Sequence, residues 1–131
     1  MLDLKCYTTG IQHIGIPTDD LDRTVSFYQK LGFSIALQTV NREANERVAF
    51  LRLGTLTVET YENKAARMAP GAIDHVAIDV RDVEEVYAYI NENGLNPTKD
   101  TLHTLPFWEN GVKFFTIEGP NKEKIEFSQY L

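Results

Sequence analysis

Nine residues near the start of this chain return, recognisably, near its middle. His-Ile-Gly-Ile-Pro-Thr-Asp-Asp-Leu, from His13 to Leu21, reappears as His-Val-Ala-Ile-Asp-Val-Arg-Asp-Val, from His75 to Val83. One offset, 62 residues, relates His13 to His75, Asp20 to Asp82 and Gly32 to Gly94. Stacked solenoid units repeat at roughly 20–50 residues, so a longer period points to a duplicated supersecondary module. Glu59 and Glu126 are 67 apart, which leaves about five additional residues in the second half, expected between Asn96 and Gly111.

A length of 131 residues bounds the duplication to one domain, 1–131, with modules at 10–63 and 72–130. No apolar run approaches the roughly 20 residues that span a bilayer. The opening Met-Leu-Asp-Leu-Lys-Cys lacks a signal-peptide pattern, and the single cysteine, Cys6, has no internal disulfide partner. A cytoplasmic protein is therefore expected. The net charge of −6 and pI near 5.0 argue against nucleic acid and anionic membranes as partners.

Each half reads as strand, helix and three strands. Gly10–Pro17 is the first strand, and Asp19 or Asp20 caps the helix that follows. Leu21, Thr24, Val25, Phe27, Tyr28 and Leu31 form one face of that helix, and Gly32 ends it. Val83, Val86, Tyr87, Tyr89 and Ile90 repeat the first five positions, while Asn93 replaces Leu31. Further strands are expected at Phe33–Val40, Val48–Leu53 and Leu56–Tyr61. The link Asn63–Gly71 leads to a fifth strand at Ala72–Val80. A sixth begins at Leu95–Thr98, and the last two are Val112–Ile117 and Lys124–Gln129. The predicted fold class is α+β: two tandem βαβββ modules forming a cupped mixed sheet with the helices on its outer face.

Alternation along strands sorts the polar residues. Ile14 and Ile16 face opposite to His13, and Val76, Ile78 and Val80 opposite to His75. Val58 opposes Glu59, and Ile125 and Phe127 oppose Glu126. The apolar neighbours can pack under the helices, leaving two imidazoles and two carboxylates on the other face. That donor set is a reasonable coordination shell for one divalent metal ion, and its zinc, nickel, cobalt, manganese or iron identity is left open.

These residues resemble the vicinal oxygen chelate superfamily, which includes glyoxalase I, methylmalonyl-CoA epimerase, fosfomycin-resistance enzymes and extradiol dioxygenases. The resemblance runs from about Gly10 to Gln129. It is carried by His13-Ile-Gly-Ile with Asp20-Leu-Asp-Arg-Thr-Val-Ser-Phe-Tyr, by His75-Val-Ala-Ile and by Lys124-Ile-Glu126-Phe. It implies a metal held by His13, Glu59, His75 and Glu126, the His, Glu, His, Glu set of glyoxalase I. It further implies a homodimer and a small-molecule substrate, an α-oxygenated carbonyl compound or its thiol adduct, converted through an enediolate. Glu126 is the first choice for the catalytic base and Glu59 the second.

Two positions bear on the thiol. Small bacterial glyoxalase I enzymes usually carry an arginine four residues after the first histidine, where this chain has Pro17. They usually carry an asparagine four residues after the first metal glutamate, where this chain has Asn63. Arg47-Val-Ala-Phe-Leu-Arg-Leu-Gly54 is instead similar to the corresponding strand of methylmalonyl-CoA epimerases, and Glu43 lies near their second catalytic glutamate. An epimerase-like isomerase is thus an alternative, as is a metal-free, ligand-sequestering protein of bleomycin-resistance type. In Thr101–Gly111, the stretch outside the repeat, Phe107 and Trp108 are open to two roles, covering a substrate pocket or lying in a subunit interface. His103 is a candidate donor to a substrate oxyanion or an exposed loop residue.

Overall fold

The computed structural model describes every residue except 1, 2, 4, 5, 8 and 72. In chain order the elements are β1 (Ile14–Pro17), α1 (Leu21–Lys30), β2 (Ser34–Asn41), β3 (Glu46–Leu53) and β4 (Leu56–Tyr61), then β5 (His75–Asp79), α2 (Val83–Glu92), β6 (His103–Leu105), β7 (Val112–Glu118) and β8 (Lys124–Tyr130). The chain forms two compact units, 1–66 and 67–131. Each unit is a βαβββ module, and the fold is α+β. Ala72, where the sequence reading begins the fifth strand, lies outside the described residues.

In the first unit the strand order is β1-β4-β3-β2, and in the second it is β5-β8-β7-β6. Each sheet is mixed. β1 runs parallel to β4 and β5 parallel to β8, while the other neighbours are antiparallel. A parallel pair needs a crossover, and the helix with two further strands supplies it.

The helices start where the sequence says they should. The Asp20 carboxylate accepts from the Arg23 N–H at 3.1 Å, and the Asp82 carboxylate from the Glu85 N–H at 3.1 Å. A second free N–H of each helix start is taken by a side chain on, or directly after, the last strand of the same unit. Leu21 N–H donates to Glu62 Oε2 at 2.7 Å, and Val83 N–H donates to Gln129 Oε1 at 2.9 Å. Gly32, at φ +98°, closes α1 by donating its N–H to the Gln29 carbonyl.

The cores lie between helix and sheet. Leu21, Val25, Tyr28 and Phe33 are buried with Ala49, Leu51 and Val58 in the first unit. Val83 and Ile90 are buried with Phe115, Ile117, Ile125 and Phe127 in the second, where the Phe115 and Phe127 rings stack at 5.2 Å. Burying such a side chain stabilises by roughly 1.5–3 kcal/mol, so each helix is held chiefly by this face. Tyr89, placed by its spacing on the buried face of α2, is 45% exposed. At about 100° per residue it sits roughly 120° from the centre of the Val83–Ile90 stripe. Its counterpart Phe27 is half-buried because its ring meets Tyr28 edge-on at 5.2 Å.

The expected sixth strand at Leu95–Thr98 is a correction. That segment is a loop, and the edge strand is β6, His103–Leu105. Leu95 and Asn96 are buried in the loop. Asn96 Nδ2 donates to Asn91 Oδ1 and the Asp100 carbonyl, and Asn96 Oδ1 accepts the Asp100 N–H. This side chain satisfies backbone groups that a ladder would otherwise occupy, and Pro97 has no N–H to offer one. Pairing with β7 therefore begins only at His103.

Candidate metal centre

The side-chain alternation expected from the sequence holds in both sheets. Val58 and Thr60 of β4 are buried and Glu59 between them is half-buried; Ile125 and Phe127 of β8 are buried and Glu126 between them is half-buried. His13 immediately precedes β1, whose Gly15 is in register with Glu59. His75 opens β5, whose Ala77 is in register with Glu126. Each histidine is thus two residues before the register partner of its glutamate, on the same face of its sheet. His13 Nε2 lies 4.0 Å from Glu59 Oε1, and His75 Nε2 lies 3.4 Å from Glu126 Oε2.

The other ring nitrogens are engaged. His13 Nδ1 is 3.0 Å from Gln12 Oε1, and His75 Nδ1 is 2.9 Å from Asp74 Oδ2. These oxygens accept, so each Nδ1 carries a proton and donates it. The Asp74 carboxyl is held below its usual range, first by the hydrogen bond from His75 and then by that from Lys124, whose Nζ lies 3.1 Å from Asp74 Oδ1. With Nδ1 protonated, a neutral imidazole presents its Nε2 lone pair to the glutamate. A lone pair on Nε2 and a carboxylate oxygen on the same face are donors that one metal ion can accept together. An outer partner that fixes the tautomer is a regular accompaniment of a metal-binding histidine. Gln12 and Asp74 stand at the same 62-residue offset as the histidines, a signal available in the sequence.

Two nitrogens and two oxygens fit a divalent ion by donor chemistry. Among the described residues no group of three or more His, Cys, Asp and Glu side chains is gathered for a metal. Each unit by itself supplies one histidine–glutamate pair.

Pockets border both pairs. One of about 300 Å³ is lined by Gln12, His13, Leu37, Phe50, Arg52 and Thr57. The Phe50 ring meets the His13 ring edge-on at 5.6 Å. In the second unit, a pocket of about 440 Å³ includes Asp74, His75, Asp100, Thr116, Lys124 and Glu126. Another of about 250 Å³ places Phe107, Trp108 and Tyr130 beside Glu126. Trp108 is 73% exposed, has φ +64° and meets the Tyr130 ring edge-on at 5.4 Å.

The remaining candidates are dispersed. His103 starts β6 rather than lying in a loop, and its Nε2 is 2.8 Å from Asp100 Oδ1. Burial works to raise the Asp100 pKa, but hydrogen bonds from His103 and the Thr116 N–H outweigh it and keep the carboxyl below its usual range. Asn63 follows β4, and its Oδ1 accepts the Ala65 N–H at 2.9 Å, shaping the chain turn. Glu43 is exposed in the β2–β3 turn. Arg52 and Phe50, beside His13, are site neighbours that sequence reasoning did not single out as such. Their strand parity with Glu59 follows only once the β3–β4 register is known.

Residues 10–127 match the model of the Glyoxalase/Bleomycin resistance protein/Dioxygenase superfamily. YwbC of Bacillus subtilis (strain 168), an uncharacterized protein, is 29% identical over 124 residues, 91% of this chain and 96% of its own length. The glyoxalase family protein from Enterococcus faecalis superposes with a TM-score of 0.76 at 25% identity, over 93% of this chain and 98% of that one. A glyoxalase I mutant from Zea mays superposes with a TM-score of 0.73 at 22% identity, over 91% of this chain and 44% of the maize chain, which is a likeness of fold.

Proposed function

This chain belongs to the glyoxalase/bleomycin resistance protein/dioxygenase superfamily, and we propose that it acts as a metal-dependent lyase or isomerase of glyoxalase I type on a small α-oxygenated carbonyl compound or its thiol adduct. The observation that carries this reading is the duplicated histidine–glutamate pair, with each Nδ1 tied to an oxygen and each Nε2 turned toward its carboxylate. His13, Glu59, His75 and Glu126 would hold one divalent ion, which when bound would polarise a substrate carbonyl as a Lewis acid. A homodimer in the cytoplasm is part of the same proposal. The presence of both pairs favours this reading over a metal-free sequestering protein.

The residues divide the work. The histidines hold their orientation through Gln12 and Asp74. Glu126 is the proposed base: its Oε2 takes the proton from the carbon next to the carbonyl and returns it to the neighbouring carbon. Glu59 is the second candidate for that role. Trp108 and Phe107 line the same pocket as Glu126 and would offer an apolar wall to the substrate there.

Elemental analysis of protein purified without added metal or an affinity tag is expected to find close to one divalent ion per chain, falling below about a tenth in His13→Ala and in His75→Ala. With oxoaldehyde–thiol adducts in deuterated water, the parent should place solvent deuterium in the product, and Glu126→Gln should lose at least about a hundredfold in turnover. Full metal binding by both histidine variants would refute the centre. Turnover of acyl-CoA substrates in place of the adducts would move the reading to an epimerase.

A further inference from the structure

The pocket beside His13 contains a cation without an anion. Arg52 lies on β3 two residues after Phe50, and their partners on β4 are Thr57 and Glu59. Alternation therefore puts Arg52, Phe50, Thr57 and Glu59 on one face. Arg52 Nε donates to Thr57 Oγ1 at 3.4 Å. No other hydrogen bond or ion pair occupies its guanidinium among the described residues. Arg47 on the same strand is different: its Nη1 bonds Asp22 Oδ1 at 3.2 Å and its Nη2 bonds Glu62 Oε2 at 2.9 Å. One arginine of β3 is thus consumed by structure, and the other, exposed and hydrogen-bonded at Nε, lines a pocket.

We propose that Arg52 is a specificity-determining residue, receiving a carboxylate of the substrate through its two terminal nitrogens, in the pocket of about 300 Å³ that it shares with His13 and Phe50. This deepens the lyase reading and rests on it for the reaction, though not for the binding. A planar guanidinium matches a carboxylate bidentately. Leu37 and Phe50 supply the apolar wall for the carbon skeleton. The substrate is accordingly a small oxo compound that carries a carboxylate on itself or on its thiol carrier.

Binding is tested first, by two-dimensional NMR of the full chain titrated with glutarate, a dicarboxylate that lacks an oxo group. The Arg52 Nε–H and the Phe50 and Thr57 amides should shift saturably. Arg52→Gln should weaken this by about tenfold or more, and Arg52→Lys should restore part of it. Equal shifts in parent and Arg52→Gln, or none in the parent, overturn the proposal. Catalysis is tested with 2-mercaptoethanol adducts of phenylglyoxal and 4-carboxyphenylglyoxal, and with the glutathione adduct of phenylglyoxal. The parent should favour one carboxylate-bearing adduct about tenfold through KM, which identifies where the carboxylate sits. Arg52→Gln should abolish the preference by raising KM for the favoured carboxylate-bearing adduct about tenfold, and Arg52→Lys should recover part of it. Glutarate binding lost in Arg52→Gln, without turnover of any adduct, would sink the lyase reading and leave the carboxylate site standing. Turnover with neither preference nor glutarate binding would do the reverse.

Discussion

A histidine on a strand is an ambiguous residue until its second nitrogen is accounted for. Here His13 and His75 each donate Nδ1–H to the side chain immediately before them, so the outer contact is encoded one residue from the candidate ligand. Asp74 is itself held ionised by His75 and Lys124. Asp74→Asn removes the carboxylate charge behind His75 and should weaken divalent-metal affinity by about 10–100-fold. Competition with a chromogenic chelator measures it, and affinity equal to the parent would mean that Asp74 serves only to anchor Lys124. Trp108 poses a different residue-scale question. A bulky side chain at positive φ is strained, and such strain concentrates at functional positions. Trp108→Gly relieves the backbone but removes the ring beside Glu126. It is expected to raise KM about tenfold or more for adducts with an aromatic group, with little loss of thermal stability.

At the scale of elements, each helix begins on an aspartate cap and a side chain sent back from the strand region that ends its own module. Glu62 joins two tasks, accepting the Leu21 N–H and pairing with Arg47. Its carboxyl is held below the usual range, first by the Arg47 hydrogen bond and then by the Leu21 N–H. Because its folded pKa lies below the unfolded one, Glu62 stabilises above the ordinary carboxylate range, and that contribution is lost as pH falls through the folded value. Glu62→Gln should therefore be less stable than the parent near pH 7, with the gap narrowing on acidification below about pH 4. Urea midpoints across that range test it, and a constant gap would show that the charge is immaterial. The caps are simpler: Asp20→Ala and Asp82→Ala should each cost about 1 kcal/mol of unfolding free energy.

For the whole molecule, the expectation is that a bound ion adds to stability by mass action. An ion at a hundred times its dissociation constant stabilises by about 2.7 kcal/mol. A divalent ion added to chelator-stripped protein should raise Tm by several degrees, and His75→Ala should not respond. Sedimentation should give about twice the 14.9 kDa chain mass for the proposed homodimer. No helix among the described residues is long and apolar enough to cross a membrane.

The duplication was legible from residues alone because a repeated module must repeat its caps, its apolar stripe and its turn glycines. Asp20 with Asp82, Leu21 with Val83 and Gly32 with Gly94 carry local requirements that neighbouring residues satisfy. The four candidate ligands were legible for the same reason, since strand alternation is a local rule. What sequence could not decide was pairing between distant segments. The sixth strand moved from Leu95 to His103 because Asn96 satisfies the backbone of its own loop. Arg52 became a neighbour of His13 only through the β3–β4 register, which depends on how two strands slide until their apolar faces meet one helix. Local stereochemistry is written along the chain; register and the neighbours it creates are set by burial, and only the tertiary structure decides them.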